Sequence, residues 1–460
     1  MAQFETRSAL ILAAGKGTRM KSSAPKVMQP ILEEPMLYYV LQSLARAGIS
    51  DTAVVIGHKG EEVQAWLAEN APDVQVIWQN EQLGTGHAVM SAKAWLKERK
   101  NILILNGDMP MLTENEINQL LVQAKDSDAA FMTCELDNPA QYGRVIRKKD
   151  SIAIVEAKDA TQEELLNKEI NAGVYFFKSG MLLDGLRELR ADNQQKEYYI
   201  VDLISWAAQR GYKVLPVKLS PENLQGVNNP LELAQLSKRM RDRILTHWLL
   251  EGVKCVDPDT VWVSPRVTFH GEAILYPNVQ IWGQSEIGNG CIIASGTILR
   301  SAVLKENVQC LGYVIANNIV AEKGVKIGPF CFLRDNTHLL KNSFAGKFVE
   351  IKNSEIGEGT KVPHLSYIGD TVIGAETNIG AASVTCNYDG INKNHTHIGS
   401  HCFIGSDTML VAPVRVGDNS VVGAGSVITH DVPEGALAVA RGRQVVIEGW
   451  AQKKKSEKNK

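Results

Sequence analysis

Residues 398–428 read IGSHCF IGSDTM LVAPVR VGDNSV VGAGSV I, and the stretch divides into sixes. Ile398, Ile404, Leu410, Val416, Val422 and Ile428 hold an unbroken spacing of six. That period is neither the 3.6 of a helix nor the 2 of a simple strand. It suits a solenoid with a triangular coil, in which each side is a short strand and the aliphatic residue points into the stack. Three hexads make a coil of 18 residues, and each coil closes the apolar face of the next. The frame recurs upstream at Ile281, Ile287 and Ile293, at Ile327, Leu333 and Leu339, and at Ile356, Val362 and Ile368. A five-residue step then reaches Ile373, and Ile379 resumes the count. Glycine rises from 15 in the first 260 residues to 23 in the last 200, as corners needing relaxed φ would require. A sandwich with Gly-rich turns is the competing reading. Residues 309–324 match the hexads poorly, and residues 386–397 interrupt them and are expected to project as a loop.

Before this region the pattern changes. Apolar runs at 8–12, 52–56, 74–78 and 102–105 read as strands, with helices over 36–47 and 114–124. Such alternation predicts a mostly parallel sheet covered on both faces, with its chemistry beyond the carboxyl ends of the strands. Residues 230–250 read as one helix joining the halves. The resulting plan is an α/β domain over 1–229, a linker helix over 230–252, a solenoid over 253–450 and a flexible lysine-rich tail over 451–460. A chain of 460 residues fits two or three domains. Forty-nine basic against 51 acidic residues argue against a nucleic-acid partner, and no apolar run approaches a membrane span. The N-terminal residues lack a secretory pattern. Seven cysteines without a CxxC pair fit reduced thiols in the cytoplasm rather than disulfides or zinc.

Two places carry candidate chemistry. Leu12, Ala13, Ala14 and Gly15 lead from the first strand into a Gly-rich turn whose amides can face an anion. Arg19 and Lys26 could reach a polyphosphate, although Lys26 also reads as a solvated lysine. Asp108 ends an apolar strand, and with Asn229 it could offer hard oxygens to Mg²⁺. A helix-capping Asp108 and a turn-forming Asn228–Asn229 are the plainer reading. In the solenoid, His364 could serve as a base near neutral pH, with Glu350 to orient it, or could be a turn histidine. His395, His397 and His401 fit no standard metal spacing.

The run from Leu12 to Met20 with Pro25–Lys26, the QLGTGHA of 82–88, Tyr142-Gly143-Arg144, the VEAKDA of 155–160 and the GVNN of 226–229 resemble the signature of sugar-nucleotide pyrophosphorylases. With the hexads attached, residues 7–450 resemble the bacterial bifunctional family of N-acetylglucosamine-1-phosphate uridylyltransferase and glucosamine-1-phosphate N-acetyltransferase. The resemblance implies a Rossmann-like nucleotidyltransferase domain followed by a left-handed parallel β-helix. It also implies a cytoplasmic homotrimer, with acetyl-transfer sites shared between subunits, that uses Mg²⁺, UTP and acetyl-CoA.

Carried over to this sequence, the resemblance makes Ala14 and Gly15 nucleotide contacts, and Gln79, Gly84 and Thr85 the uracil site. Arg19 and Lys26 become catalytic phosphate contacts, Asp108 and Asn229 metal ligands, and Gly143, Glu156, Asn171 and Asn229 contacts to N-acetylglucosamine 1-phosphate. His364 becomes the base and Glu350 its neighbour. Arg334, Lys352, Tyr367, Asn378 and Lys393 become the glucosamine 1-phosphate site. Ala381, Asn387, Tyr388, Ser406, Ala424 and Arg441 become contacts to acetyl-CoA. The chain departs from the family at Asn106, where Tyr is usual, at Asp335 (Pro), at Lys347 (Asn) and at Ala382 (Gly). Other readings keep the same residues: a uridylyltransferase whose solenoid serves assembly alone, a sugar-nucleotide sensor without catalysis, and a pyrophosphorylase for another sugar or nucleotide.

Overall fold

The computed structural model describes residues 8–148 and 151–458. The N-terminal residues read for a secretory signal, up to residue 7, and the last two of the lysine run lie outside the described residues. The chain forms two compact units, Met1–Met240 and Arg241–Lys460.

In the first unit, one sheet runs in the order Val214–Lys218, Ala129–Glu135, Glu169–Lys178, Asn101–Asn106, Ser8–Leu12, Asp51–Ile56, Gln75–Trp78. Neighbours pair in parallel except Glu169–Lys178, which is antiparallel to both of its neighbours. Alternation along each strand serves two cores. Ala9 and Ile11 face one, and Leu10 and Leu12 face the other, so both faces are covered as the apolar runs predict. Helix Glu114–Gln123 starts at a capping box of Thr113 and Glu116. A hairpin of Arg144–Lys148 and Ser151–Val155 branches from Glu169–Lys178.

The second unit is the solenoid. Each coil gives one short strand to an 11-stranded sheet and two to a 17-stranded sheet. Pairing between coils is parallel throughout, which rules out the antiparallel sandwich. Ile281 stacks on Leu299 and Ile398 on Val416, a step of 18, while Ile356 stacks on Ile373, a step of 17. The six frame residues from Ile398 to Ile428 are each 4% exposed or less. Burying each such side chain contributes roughly 1.5–3 kcal/mol. Beside them, buried Ser and Thr hydroxyls close the corners: Ser383 Oγ donates to Gly380 O at 2.8 Å and Thr408 Oγ1 to Gly405 O at 2.7 Å.

Several expectations need correction. Residues 309–324 continue the stack through Gln309–Cys310 and Ile315–Ala321. Their frame was hidden because the inward residues there are small: Cys310, Ala316 and Ala321. The glycine after the aliphatic residue seldom serves positive φ. A Cβ on Gly357 would lie 2.2 Å from Gly374 O, and one on Gly405 2.4 Å from Ala424 N. Adjacent coils leave no room there, and the left-handed corners are taken by other glycines, such as Gly290, Gly324 and Gly359, and by residues such as Asn307, Asn342, His401 and Asn419. The described part of the lysine-rich end, expected as a flexible tail, forms a helix, Trp450–Lys458, favoured by Ala, Gln and Lys.

The interruption does form a loop, between strands Val384–Cys386 and Thr396–Ile398. It lengthens the step from Ile373 to Ile398 to 25 residues. Ala382 occupies a corner at φ 58°, where glycine would carry no steric penalty. Ala382→Gly is expected to raise unfolding stability by up to about 1 kcal/mol, read from denaturant midpoints.

Candidate active sites

In the first unit the loop after Ser8–Leu12 and the turn after Asn101–Asn106 meet at the carboxyl end of the sheet, where Gly107 N donates to Leu12 O at 3.0 Å. Among the described residues, the amides of Gly15, Lys16 and Gly17 find no acceptor in the chain, which suits an anion cradle. Gly17 has φ 56°, and a Cβ there would lie 2.8 Å from Lys26 Cβ, so the loop and Lys26 pack closely. Lys26 Nζ pairs with Asp108 Oδ2 and donates to Asn228 Oδ1 at 3.2 Å. Arg19 Nη2 donates to the same oxygen at 2.9 Å.

Asn229 sits beside this corner, but its Oδ1 accepts from Glu232 N at 2.9 Å. Glu232 Oε1 accepts in turn from Asn229 Nδ2 at 2.6 Å, and its Oε2 accepts from Asn228 N at 2.7 Å. The plain reading of Asn228–Asn229 as a turn therefore holds in part: Asn229 and Glu232 form a box that caps helix Pro230–Leu250. Asn228 and Glu232 were missed as site residues. The Asn-x-x-Glu spacing was the signal that could have found Glu232. The donor set of one carboxylate oxygen and one amide oxygen around one cationic atom fits Mg²⁺, which takes few protein ligands.

The corner opens into a cavity of about 210 Å³ lined by Arg19, Thr85, Asp108, Gly143, Glu156 and Asn171 among others. Gly143 O accepts from Asn171 N at 2.9 Å, and a Cβ on Gly143 would lie 3.5 Å from Glu156 Oε1, so these three lie together. Asn106 also lines the cavity, with its amide against Gly173. Tyr142 OH accepts from Gly226 N at 3.0 Å and ties the 139–143 turn to the Asn228 segment. Gln79 is buried, and its Nε2 donates to Gly84 O at 3.2 Å. Gly84 has φ 105°, and a Cβ there would strike Tyr198 O. Thr85 Oγ1 accepts from Ile200 N at 3.1 Å.

Burial, then the charges of Asp159, Asp202 and Glu197, push Glu156 up to about 7. A carboxyl raised by folding contributes stability that is complete below its unfolded pKa, near 4.5, and is lost as pH rises through about 7. Glu156→Gln is therefore expected to raise Tm more at pH 8 than at pH 5, measured by thermal melts of both proteins. An equal change at both values would contradict this.

In the second unit His364 is exposed at a corner. It is the rung partner of Lys347, and Leu365 N donates to Lys347 O at 2.8 Å. The same corner continues along the stack. Asp407 N donates to Ala381 O at 2.7 Å, Gly425 N to Ser406 O at 2.8 Å, and Arg441 Nη1 to Ala424 O at 2.6 Å. His364, Ala381, Ser406 and Ala424 thus form one column, with Arg441 beside its end.

Arg334 and Lys352 are rung partners on the adjoining face. The loop brings Lys393 to them. Lys352, at hydrogen-bonding range and of like charge, pushes the Lys393 ammonium below its ordinary range. Asp370 is the buried counter-charge that the sequence reading missed. It accepts from Asn353 Nδ2 at 2.7 Å and Asn387 Nδ2 at 2.5 Å. Burial works to raise its carboxyl, but these bonds, with Lys352 and Lys393, hold it below the usual range. Tyr367 OH accepts from Asn387 Nδ2 at 3.5 Å, and Tyr388 is exposed on the loop.

Glu350 meets the cluster rather than His364, and Asn378 lies apart from the cluster within one chain. Glu350 Oε1 accepts from Arg334 Nη2 at 3.0 Å, and among the described residues the His364 ring has no hydrogen-bond partner. Asn378 belongs to the other sheet, paired with Lys361 and Phe403.

The chain matches the Nucleotidyl transferase family over residues 8–222 and the Bacterial transferase hexapeptide (six repeats) family over residues 395–430. It is 43% identical to Bifunctional protein GlmU of Carboxydothermus hydrogenoformans over 96% of this chain and 99% of that protein. It is 41% identical to the protein of the same name from Fervidobacterium nodosum, over 97% of this chain and 98% of that protein. The Streptomyces coelicolor protein of that name is also 41% identical, over 99% and 96%.

Proposed function

This chain belongs to the bifunctional GlmU family, and from that premise we propose that it makes UDP-N-acetylglucosamine in two reactions, one in each unit. It is an enzyme with nucleotidyltransferase and acyltransferase activities. Residues 253–450 acetylate glucosamine 1-phosphate from acetyl-CoA, and residues 1–229 join the product to UMP from UTP.

In the second unit, the amine of the sugar attacks the thioester carbonyl. His364 accepts the amine proton as the C–N bond forms, the C–S bond breaks, and the departing thiolate takes that proton back from His364 to leave as the CoA thiol. Arg334, Lys352 and Lys393 neutralise the sugar phosphate. The column from Ala381 through Ser406 and Ala424 to Arg441 receives the CoA chain, with Asn387 and Tyr388 on the loop beside it.

In the first unit, a phosphate oxygen of N-acetylglucosamine 1-phosphate displaces pyrophosphate at the α-phosphorus of UTP. The nucleophile is already anionic, so no protein nucleophile is required. Gly143, Glu156 and Asn171 hold the sugar, Gln79, Gly84 and Thr85 the base, and Ala14, Gly15, Arg19 and Lys26 the phosphates. Asp108 and Asn229 would hold Mg²⁺, which supplies charge neutralisation on the phosphoryl oxygens when bound. The observation that carries the reading is the grouping of Arg19, Lys26, Asp108 and Asn228 at the mouth of the cavity lined by Glu156 and Asn171.

A homotrimer with shared acetyl-transfer sites is part of the proposal. It is supported by Asn378 lying on a face apart from Arg334 and Lys352, so that a second copy is needed to complete the set. Beside His364, Tyr313, Phe330 and Phe348 stack at 5.1 and 5.4 Å on successive coils, each half exposed or more, and a second copy would cover them. Free cysteines support a cytoplasmic setting.

The test is one assay with each substrate omitted in turn. CoA thiol is expected only with glucosamine 1-phosphate, and pyrophosphate only with UTP, Mg²⁺ and the acetylated sugar phosphate. Pyrophosphate without thiol, from protein whose mass in solution is three times 50.5 kDa, would leave a uridylyltransferase with an assembly solenoid. Nucleotide binding without either product would leave a sensor.

A further inference from the structure

We propose that Lys26 competes with the divalent metal for Asp108, so that the metal binds tightly only when a polyphosphate draws the ammonium away. This rests on the metal reading above and concerns its regulation. Lys26 Nζ lies between Asp108 Oδ2 and Asn228 Oδ1, two hard oxygens of the kind a metal needs. Both charged side chains are mostly shielded, at 17% and 19% exposure, which strengthens their mutual effect. Among the described residues no group of three or more His, Cys, Asp and Glu is arranged for a metal. Asp108 is the carboxylate that pairs with Lys26, while Glu232 is engaged by Asn228 N at 2.7 Å and Asn229 Nδ2 at 2.6 Å.

Lys26 is held where it has a choice of partners. It begins the turn Lys26–Met28 after Pro25, and its stem packs on Gly17, beside the unbonded amides of Gly15, Lys16 and Gly17. A polyphosphate resting on those amides gives the ammonium a second anion within reach of the same anchored stem. Asp108 is then released to the metal. Nucleotide and metal strengthen one another through this exchange, and by linkage the factor is the same in either direction.

The experiment measures Mn²⁺ binding to the full-length protein by electron paramagnetic resonance, first with Mn²⁺ alone and then with UTP present. Lys26→Met and Lys26→Gln are expected to bind Mn²⁺ alone on the order of tenfold more tightly than wild type, the repulsive charge being gone. Lys26→Arg, which keeps the charge, is expected to stay within about twofold of wild type. With UTP the gap between Lys26→Met and wild type is expected to close. Equal or weaker binding in both neutral variants, or a tenfold gap that persists with UTP, overturns the inference. Mn²⁺ binding that Asp108→Asn leaves unchanged, or its absence from every protein, overturns the metal reading itself.

Discussion

His364→Ala is expected to lower thiol release from acetyl-CoA by roughly 10²–10⁴-fold while uridylyl transfer continues at its wild-type rate. An ammonium cannot attack a thioester, so the sugar amine must give up a proton on the way to the amide. His364 is exposed at a corner, and its ring is free of competing bonds among the described residues. Other residues would divide the work. Arg334, Lys352 and Lys393, grouped on the adjoining face, would offer charge to the phosphate, and the column through Ala381, Ser406 and Ala424 would offer a ledge along the stack from His364. The variant removes a solvent-facing group from a corner whose backbone bonds are made by Lys347 O and Leu365 N, so the coil is expected to keep its fold and its assembly. Acetyl transfer that survives within about tenfold of wild type would remove His364 from the base role.

What could be read in advance depended on how much of the signal was periodic. The hexad frame is visible because large aliphatic residues repeat at a fixed step, and the same step is the stacking rule of the coils. Where the inward residue shrinks to Cys310, Ala316 or Ala321, and Leu299 and Leu304 stack on residues 17 rather than 18 further on, the coil persists in the structure but the six-residue frame is broken in the sequence. The glycines were legible as a feature, and relaxed φ is the cause at corners such as Gly290, Gly324 and Gly359 but not at those that follow most frame residues. The spacing between coils, not the dihedral, excludes the Cβ at Gly357 and Gly405. Asp108 and Lys26 could be named from the sequence as separate candidates. That they share one ion pair, with Asn228 as common partner, depends on a turn folded across 200 residues of chain. Asp370 was invisible because a lone aspartate after a hexad glycine looks like any turn residue, until Asn353, Asn387 and two lysines converge on it. Glu350 and Asn378 mark the limit of one chain. Their assigned roles need groups that a single coil stack does not bring together.

Asp108→Asn is expected to lower uridylyl transfer by on the order of 10²–10³-fold and to leave acetyl transfer unchanged. The substitution is nearly isosteric and keeps the turn that receives Val227 N on Asp108 O at 3.1 Å, so the loss is one of charge rather than of shape. Two consequences follow from that charge. A bound metal would lose the Asp108 carboxylate, and an amide oxygen binds a hard dication far less well. Lys26 then loses the carboxylate that pairs with it, and Glu232, bonded to Asn228, is left as the acidic group beside Lys26 and Arg19, which favours binding of the triphosphate while removing the group that would hold the metal on it. The expected pattern is therefore a fall in kcat with nucleotide affinity held or improved, measured by steady-state pyrophosphate release alongside direct UTP binding without metal. A variant that lost UTP binding while kcat stayed intact would show Asp108 acting as an organiser of the loop. The mechanism would then have to find its charge neutralisation in Arg19 and Lys26 alone.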